Sequence, residues 1–212
     1  MKLTKYQHAC FVIEKEGTCI VVDPGNLARD FITPKRINAI VVTHEHPDHF
    51  DEARIRSLLK THPKAAIIAH ESISGRFTDY KAIAAKVGES LNVGAFSIQF
   101  FGGVHAPIAG GVQTPPNLGI LIDERLYYPG DSFAIPEGKS VQELLIPAGG
   151  PWMKASEALQ FLTAIRPQYA FPTHDAHLSL DGKQLIDRLF GAVASGQNTQ
   201  YKRLDGTTIE LA

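Results

Sequence analysis

Apolar residues along this chain come in short runs whose period switches repeatedly between that of a strand and that of a helix. Leu3, Phe11-Val12-Ile13 and Cys19-Ile20-Val21-Val22 predict a first hairpin over residues 3–22, stopped by Asp23-Pro24-Gly25. A two-residue turn at Glu16-Gly17 sets Lys15 opposite Thr18, Glu14 opposite Cys19, Cys10 opposite Asp23 and His8 opposite Gly25. Residues 39–43 predict a short strand. Ile55, Leu58 and Leu59 recur at helical spacing and predict a helix over residues 51–60 that closes before His62-Pro63. Residues 65–69 read as a buried strand, and residues 79–87 as a helix with Ile83 and Val87 inward.

Leu91 and Val93, then Phe96, Ile98 and Phe100, alternate around Gly94 and predict two strands or one bent strand. Residues 106–117, with three prolines and Gly110-Gly111, predict the longest loop. A hairpin over residues 118–122 and 126–128 follows, and then a strand over residues 143–146. Ala155, Ala158, Leu159, Leu162 and Ile165 share one face of a helix that ends before Pro167. Residues 168–173 predict a strand, residues 182–193 a helix packing Leu185, Ile186, Leu189 and Phe190, and Asp205-Gly206 the turn of a last hairpin. Many short strands with interspersed helices require each sheet to be covered by helices on one face and by the other sheet on the second face. The expected fold class is therefore α/β, a four-layer αββα sandwich.

Composition narrows the function classes. At 212 residues the chain fits one domain, residues 1–212, with enough length to bury a sizeable core. Lys+Arg 21 against Asp+Glu 22 leave a net charge of -1, so no bulk field recruits nucleic acid or an anionic membrane, and a small molecule is the expected partner. The polar start of the chain lacks the apolar core of a signal peptide and no run approaches a membrane span, which reads as a cytoplasmic protein. Cys10 and Cys19 lie several rungs apart in the hairpin register, out of disulfide reach, and read as small buried hydrophobes.

The chemistry concentrates in Thr43-His44-Glu45-His46-Pro47-Asp48-His49-Phe50, directly after the apolar Ile40-Val41-Val42. Imidazole and carboxylate groups two residues apart on a turn after a strand can converge on one divalent ion. His105, Asp131 and His174 stand at other strand ends that break into glycine or loop. Alone, Asp131 reads equally as a turn residue and His174 as a strand-end histidine. Together, four strand ends contribute seven ligands, about what two divalent ions need, and the two oxygens of Asp131 can bridge them.

These residues resemble the metallo-β-lactamase superfamily, whose signature His-x-His-x-Asp-His is matched by His44, His46, Asp48 and His49. Its later ligands resemble His105 in Gly-Gly-Val-His, Asp131 in Pro-Gly-Asp-Ser and His174 in Pro-Thr-His-Asp. The resemblance spans the chain and is strongest to the compact branch that includes L-ascorbate-6-phosphate lactonase. His8-Ala9-Cys10-Phe11-Val12-Ile13-Glu14, Val22-Asp23-Pro24-Gly25 and the short segment between Asp131 and His174 carry that part. It implies a first metal on His44, His46 and His105, a second on Asp48, His49 and His174, and Asp131 between them. Asp23 would orient a ligand histidine or the ligand loop by hydrogen bonding.

The resemblance further implies two divalent ions, zinc first with manganese or iron as alternatives, held about 3.5–4 Å apart and sharing a hydroxide that attacks a small ester or lactone. Asp48 would take or steer a proton, and His177 is a candidate donor to the leaving group or a developing oxyanion. The hairpin register makes His8 a candidate at the same edge as Asp23. Residues 106–117 together with Trp152, Met153 and Lys154 are candidate pocket walls. Histidine at position 46, where oxygen-reducing relatives carry a carboxylate, favours hydrolysis. Two alternatives stay open: phosphodiester cleavage on a nucleotide or lipid headgroup, and a metal-binding sensor with little turnover. His62 and His70 match nothing in this pattern.

Overall fold

Strands that are apolar on both faces must be covered twice, and that requirement sets the layering of this chain. In the computed structural model, which describes residues 1–211, β1 (Lys2–Lys5), β2 (Phe11–Lys15), β3 (Thr18–Val22), β4 (Ala39–Val41), β5 (Ala66–Ala69) and β6 (Lys81–Ala84) lie side by side in that order. A second sheet holds β7 (Ser90–Val93), β8 (Phe96–Val104), β9 (Pro116–Ile122), β10 (Leu126–Tyr128), β11 (Glu143–Pro147), β12 (Tyr169–Thr173) and β13 (Gln200–Tyr201). The chain then returns to the first sheet as β14 (Thr208–Glu210), antiparallel to β1.

Side chains alternate across each sheet, so neighbours in sequence enter different layers. Phe11, Ile13, Ile20 and Val22 meet Ile98, Phe100, Ile120, Leu145 and Phe171 between the sheets. Val12, Val21 and Ile40 point the other way, onto Ile55, Leu58 and Leu59 of α1 (Glu52–Thr61) and the single turn α2 (Glu71–Ser74). On the far side, Leu121, Tyr127 and Leu144 pack against Ala158 and Leu162 of α3 (Ala155–Ile165) and Phe190 of α4 (Leu180–Gly196). Helix, sheet, sheet, helix is the expected four-layer sandwich.

The β2–β3 register is the predicted one, with Lys15 opposite Thr18 and Glu14 opposite Cys19. Glu16 and Gly17 both have positive φ, 48° and 74°, as a twist-matched two-residue hairpin turn requires. The ladder ends at Phe11 opposite Val22, so the expected pairs Cys10–Asp23 and His8–Gly25 are not rungs. The chain instead breaks at His8, and Leu3 belongs to a separate strand, β1, antiparallel to β2. Both cysteines are free and buried under the first sheet's helices, where burial pushes the Cys19 thiol up to about 12.

Two expected elements fold differently. Residues 79–87 are not a helix: Ile83 and Val87 fit a helical period, but Lys81–Ala84 pair in parallel with β5, Ile83 packs between the sheets and Val87 is exposed. Asp205-Gly206 does not close a hairpin, because β13 pairs with β12 and β14 with β1, so this turn carries the chain from one sheet to the other. In α4 only Phe190 and Ala194 are buried, while Leu185 and Leu189 are exposed. Among the described residues no helix is long and apolar enough to cross a membrane.

Pairing directions put one set of strand ends together. β3 and β4 are parallel, and β1 shares their direction through β2. β10, β11 and β12 are parallel, and β8 shares their direction through β9. The C-terminal ends of β1, β3, β4, β8, β10 and β12 lead to His8, Asp23, His44, His105, Asp131 and His174 respectively.

Phe100, 1% exposed between the sheets, and Leu189, 37% exposed on α4, separate buried from surface apolar positions. Urea denaturation is expected to show a loss of about 3–5 kcal/mol for Phe100→Ala and a change within about 0.5 kcal/mol for Leu189→Ala.

Candidate metal centre

The strand ends deliver two groups of ligand atoms. Those of His44, His46, His105 and Asp131 lie within 4.8 Å of one another, and so do those of His8, Asp48, His49 and His174. Asp131 touches both: its Oδ1 is 3.1 Å from His49 Nε2, and its Oδ2 is 2.8 Å from His174 Nε2, 3.4 Å from His105 Nε2 and 3.9 Å from His44 Nε2. The seven residues of the sequence pattern are thus brought together, with His8 as an eighth.

Hydrogen bonds on the rear of the rings decide what faces inward. His49 Nδ1–H donates to Asp23 Oδ2 (2.7 Å), His105 Nδ1–H to the Ala106 carbonyl and His174 Nδ1–H to the Gly149 carbonyl. The Thr43 hydroxyl spends its hydrogen on Asp23 Oδ2 (2.7 Å), so His44 Nδ1–H donates to Thr43 Oγ1 (3.0 Å). Each of these four rings therefore turns an Nε2 lone pair into the site. His46 turns Nδ1 inward, 3.1 Å from His44 Nε2. The Nε2 atoms of His49, His105 and His174 and Oδ1 of Asp131 are buried without an aligned hydrogen-bond partner. Lone pairs converging without donors are what divalent cations satisfy, and an imidazole and carboxylate set suits zinc, manganese or iron.

Asp23 anchors this arrangement. Fully buried, it accepts from Thr43 N (2.8 Å), Thr43 Oγ1 (2.7 Å), His49 Nδ1 (2.7 Å) and Tyr128 Oη (3.0 Å). The orienting contact expected from the sequence is present. Its Asp-Pro-Gly turn also needs the glycine itself, since a Cβ on Gly25 would stand 1.9 Å from the Asp48 carbonyl oxygen. Asp23, His8 and His174 hold left-handed φ values of 45°, 62° and 54°, each costing of order 1–3 kcal/mol. Surrounding bonds, including His174 N to the His8 carbonyl (3.1 Å), hold that strain in place.

Burial and neighbouring charge push the groups apart. Burial pushes His44 and His46 down, toward the neutral form that binds cations. Burial also opposes charge on His49 and His174, but Asp131 with Asp23 raises His49, and Asp131 with Asp48 holds His174 at about 9. Burial favours the neutral form of Asp131, yet His49 and His174 keep its carboxyl well below the ordinary range. Asp48 is likewise held below that range, the bonds from His174 and His8 overcoming burial. Burial, only partly offset by Asp48, lowers His8 to about 4. Protons on His49 and His174 thus occupy the positions cations would compete for.

The other expected residues spread out around this centre. Trp152 is 8% exposed, with its ring 5.7 Å from that of His105 and 5.8 Å from that of His174. It lines a cavity of about 490 Å³ with Val104, Ala106, Pro107, Ser132, Phe133 and Glu157, which include the chain neighbours of His105 and Asp131 but neither ligand. His177 is at the solvent rim, its side chain 48% exposed and its Nε2 3.9 Å from Asp48 Oδ2. Lys154 is exposed at the start of α3, where its backbone N–H donates to Glu157 Oε2 (2.7 Å), and it does not line this cavity. The loop expected over residues 106–117 ends earlier, because Pro116 and Asn117 pair with β8. His62 and His70 cap α1 and α2. A larger groove of about 700 Å³ lies at the β2–β3 turn, lined by residues such as Lys15 and Arg36 and remote from the ligands.

Sequence reasoning missed several supports. Asn117 donates to the Pro129 carbonyl (2.8 Å) and accepts from Asp131 N (3.0 Å), fixing the turn that presents Asp131. Tyr128 reaches Asp23 from the second sheet, and buried Lys5 donates to the His8 carbonyl (2.6 Å). Only Tyr128, immediately before Pro129-Gly130-Asp131, carried a signal through its place in the sequence.

Comparison with known proteins agrees with this geometry. Residues 2–174 match the family described as Beta-lactamase superfamily domain. Protein Rv0786c of Mycobacterium tuberculosis is 33% identical over 210 residues, covering 96% of each chain. A UPF0173 metal-dependent hydrolase of Carboxydothermus hydrogenoformans is 29% identical over 194 residues, covering 82% of this chain and 84% of that one. The fold superposes on Igni18, described as a novel metallo hydrolase from Ignicoccus hospitalis, with a TM-score of 0.76 and 21% identity over 100% of this chain and 99% of that one.

A histidine whose folded pKa lies above its unfolded value stabilises the fold below the unfolded pKa and loses that contribution as pH rises through the folded one. Thermal melts of the chelated protein are therefore expected to fall from about pH 6.5 to about 9, the range of the His174 shift. Zinc-loaded protein, whose histidine ligands are neutral throughout, is expected to melt higher and to lose this slope.

Proposed function

The chain belongs to the beta-lactamase superfamily, and on that premise we propose that it is a binuclear metal-dependent hydrolase of small, uncharged esters or lactones. His44, His46 and His105 would hold the first ion and Asp48, His49 and His174 the second, with Asp131 lying between the two groups. The observation that carries this reading is the set of Nε2 lone pairs fixed inward by Nδ1–H bonds, with the Asp131 carboxylate between the two groups. When bound, two such ions supply Lewis acidity and lower the pKa of water, the chemistry that hydrolysis near neutral pH needs.

The chain's own groups do the rest. The cavity lined by the chain neighbours of His105 and Asp131 would receive the acyl portion of the substrate against Trp152 and Phe133. Asp48, held as a carboxylate, accepts and steers a proton at its free lone pairs. His177, exposed at the rim and facing Asp48, delivers a proton to the departing oxygen. Zinc is the expected metal, with manganese and iron as alternatives.

The same cavity weighs against a phosphodiester or phosphorylated substrate. No lysine or arginine lines it and Glu157 is its one charged residue, so a second anionic group would meet repulsion and no partner. A sensor with little turnover has no use for so complete a donor set.

Metal analysis is expected to find two ions per chain after zinc or manganese supplementation, and a stable value of one or fewer would sink the two-ion reading. In a panel of neutral lactones, thioesters and nitrophenyl esters against nitrophenyl phosphodiesters, turnover is expected for the neutral class. Preference for the phosphodiesters would overturn the substrate assignment. His105→Ala and Asp131→Ala are each expected to lower kcat/KM by more than the roughly 10–100-fold that loss of an outer partner costs.

A further inference from the structure

His8 stands inside the second ligand group, yet its ring is wired the opposite way from those around it. Ala176 N–H donates to His8 Nδ1 (3.3 Å), so Nδ1 presents a lone pair and carries no proton. The ring proton is on Nε2, 2.9 Å from Asp48 Oδ2. In His44, His49, His105 and His174 the rear hydrogen bond fixes a proton on Nδ1, so Nε2 is the nitrogen that faces the centre and is left for a cation. A nitrogen that carries a proton has no lone pair for a cation.

We propose that His8 is a positioning residue, which donates Nε2–H to Asp48 and fixes that carboxylate toward the second ion, rather than a fourth ligand of that ion. This rests on the two-ion reading above. Asp48 Oδ2, the oxygen that accepts from His8, faces His174 Nε2 at 3.4 Å and His49 Nε2 at 4.0 Å. A carboxylate oxygen has two lone pairs, so it can accept from His8 and face an ion at once. The backbone that carries the ring is fixed as well. His8 has φ 62°, and its carbonyl accepts from His174 N (3.1 Å) and from fully buried Lys5 (2.6 Å). Coordination through Nε2 would move the proton to Nδ1, setting two N–H groups against each other at Ala176 and leaving Asp48 Oδ2 without its donor.

The test compares His8→Ala with His8→Gln, whose amide restores a donor at about the reach of Nε2–H but supplies no imidazole. Competition with a chelating dye on zinc-loaded protein is expected to show His8→Ala weakening one of the two ions by about 10–100-fold, with the other unchanged. His8→Gln is expected to recover most of that affinity. Circular dichroism confirms that both variants fold, and His8→Gln keeps the comparison available if His8→Ala does not. Histidine-ring nitrogen–proton NMR of the zinc-loaded wild type is expected to contain an Nε2–H signal that is absent in His8→Gln, beside that of His46, which turns Nδ1 inward. A metal-bound His8 Nε2, or a His8→Gln protein as weak as one without the ring, would overturn the proposal. Two ions in wild type with no loss in His8→Ala removes this inference alone, whereas a single ion in wild type removes the two-ion reading and this inference with it.

Discussion

A fully buried carboxylate must collect donors, and Asp23 collects them from both sheets. Thr43 reaches it from the loop after β4, His49 from the same loop one turn further on, and Tyr128 from the end of β10 in the other sheet. Leaving such a group unpaired would cost several kcal/mol, so the three partners are held at once or the edge opens. The sandwich packs through apolar contact, which is forgiving of small shifts. The angular precision needed to aim imidazoles comes instead from this polar knot, and the left-handed backbone at Asp23 is part of its cost.

Each half of the centre has one ring framed by the backbone and one framed by side chains. His105 and His174 lean on backbone carbonyls at strand ends, His44 and His49 on side chains organised by Asp23. Gly25 and Gly130 permit the close approaches: a Cβ at Gly130, φ 64°, would come within 2.3 Å of the Asn117 amide oxygen that holds Asp131. Cavity shape and ligand placement are therefore linked through short turns, and a substitution in those turns acts on metal geometry before it acts on the core.

Much of this was legible in the residues because ligand chemistry is local. His44, His46, Asp48 and His49 lie on one turn, and His105, Asp131 and His174 each follow an apolar run that stops at glycine or a loop. The layering was legible for a similar reason, since doubly apolar strands leave little choice of cover. Residues 79–87 were not, because Ile83 and Val87 satisfy a helical period while the pairing that decides the matter belongs to β5. The ends of β13 and β14 were hidden too, as a turn signal names a reversal but not the sheet that each arm joins. The proton position on His8 depends on the backbone of Ala176, 168 residues away, which no local pattern encodes.

The pairing of β1 with β14 has a kinetic side. Thr4 and Thr208 face each other across 204 residues, and β1 is flanked on both sides only once that last strand has docked. Contacts of such sequence separation close late, since the entropy of a long loop is lost before the contact repays it. His8 hangs from the end of β1, and its carbonyl is tied to His174 and Lys5. The second half of the centre is thereby coupled to one of the slowest-forming parts of the sheet, so that competence for metal becomes a marker of completed folding.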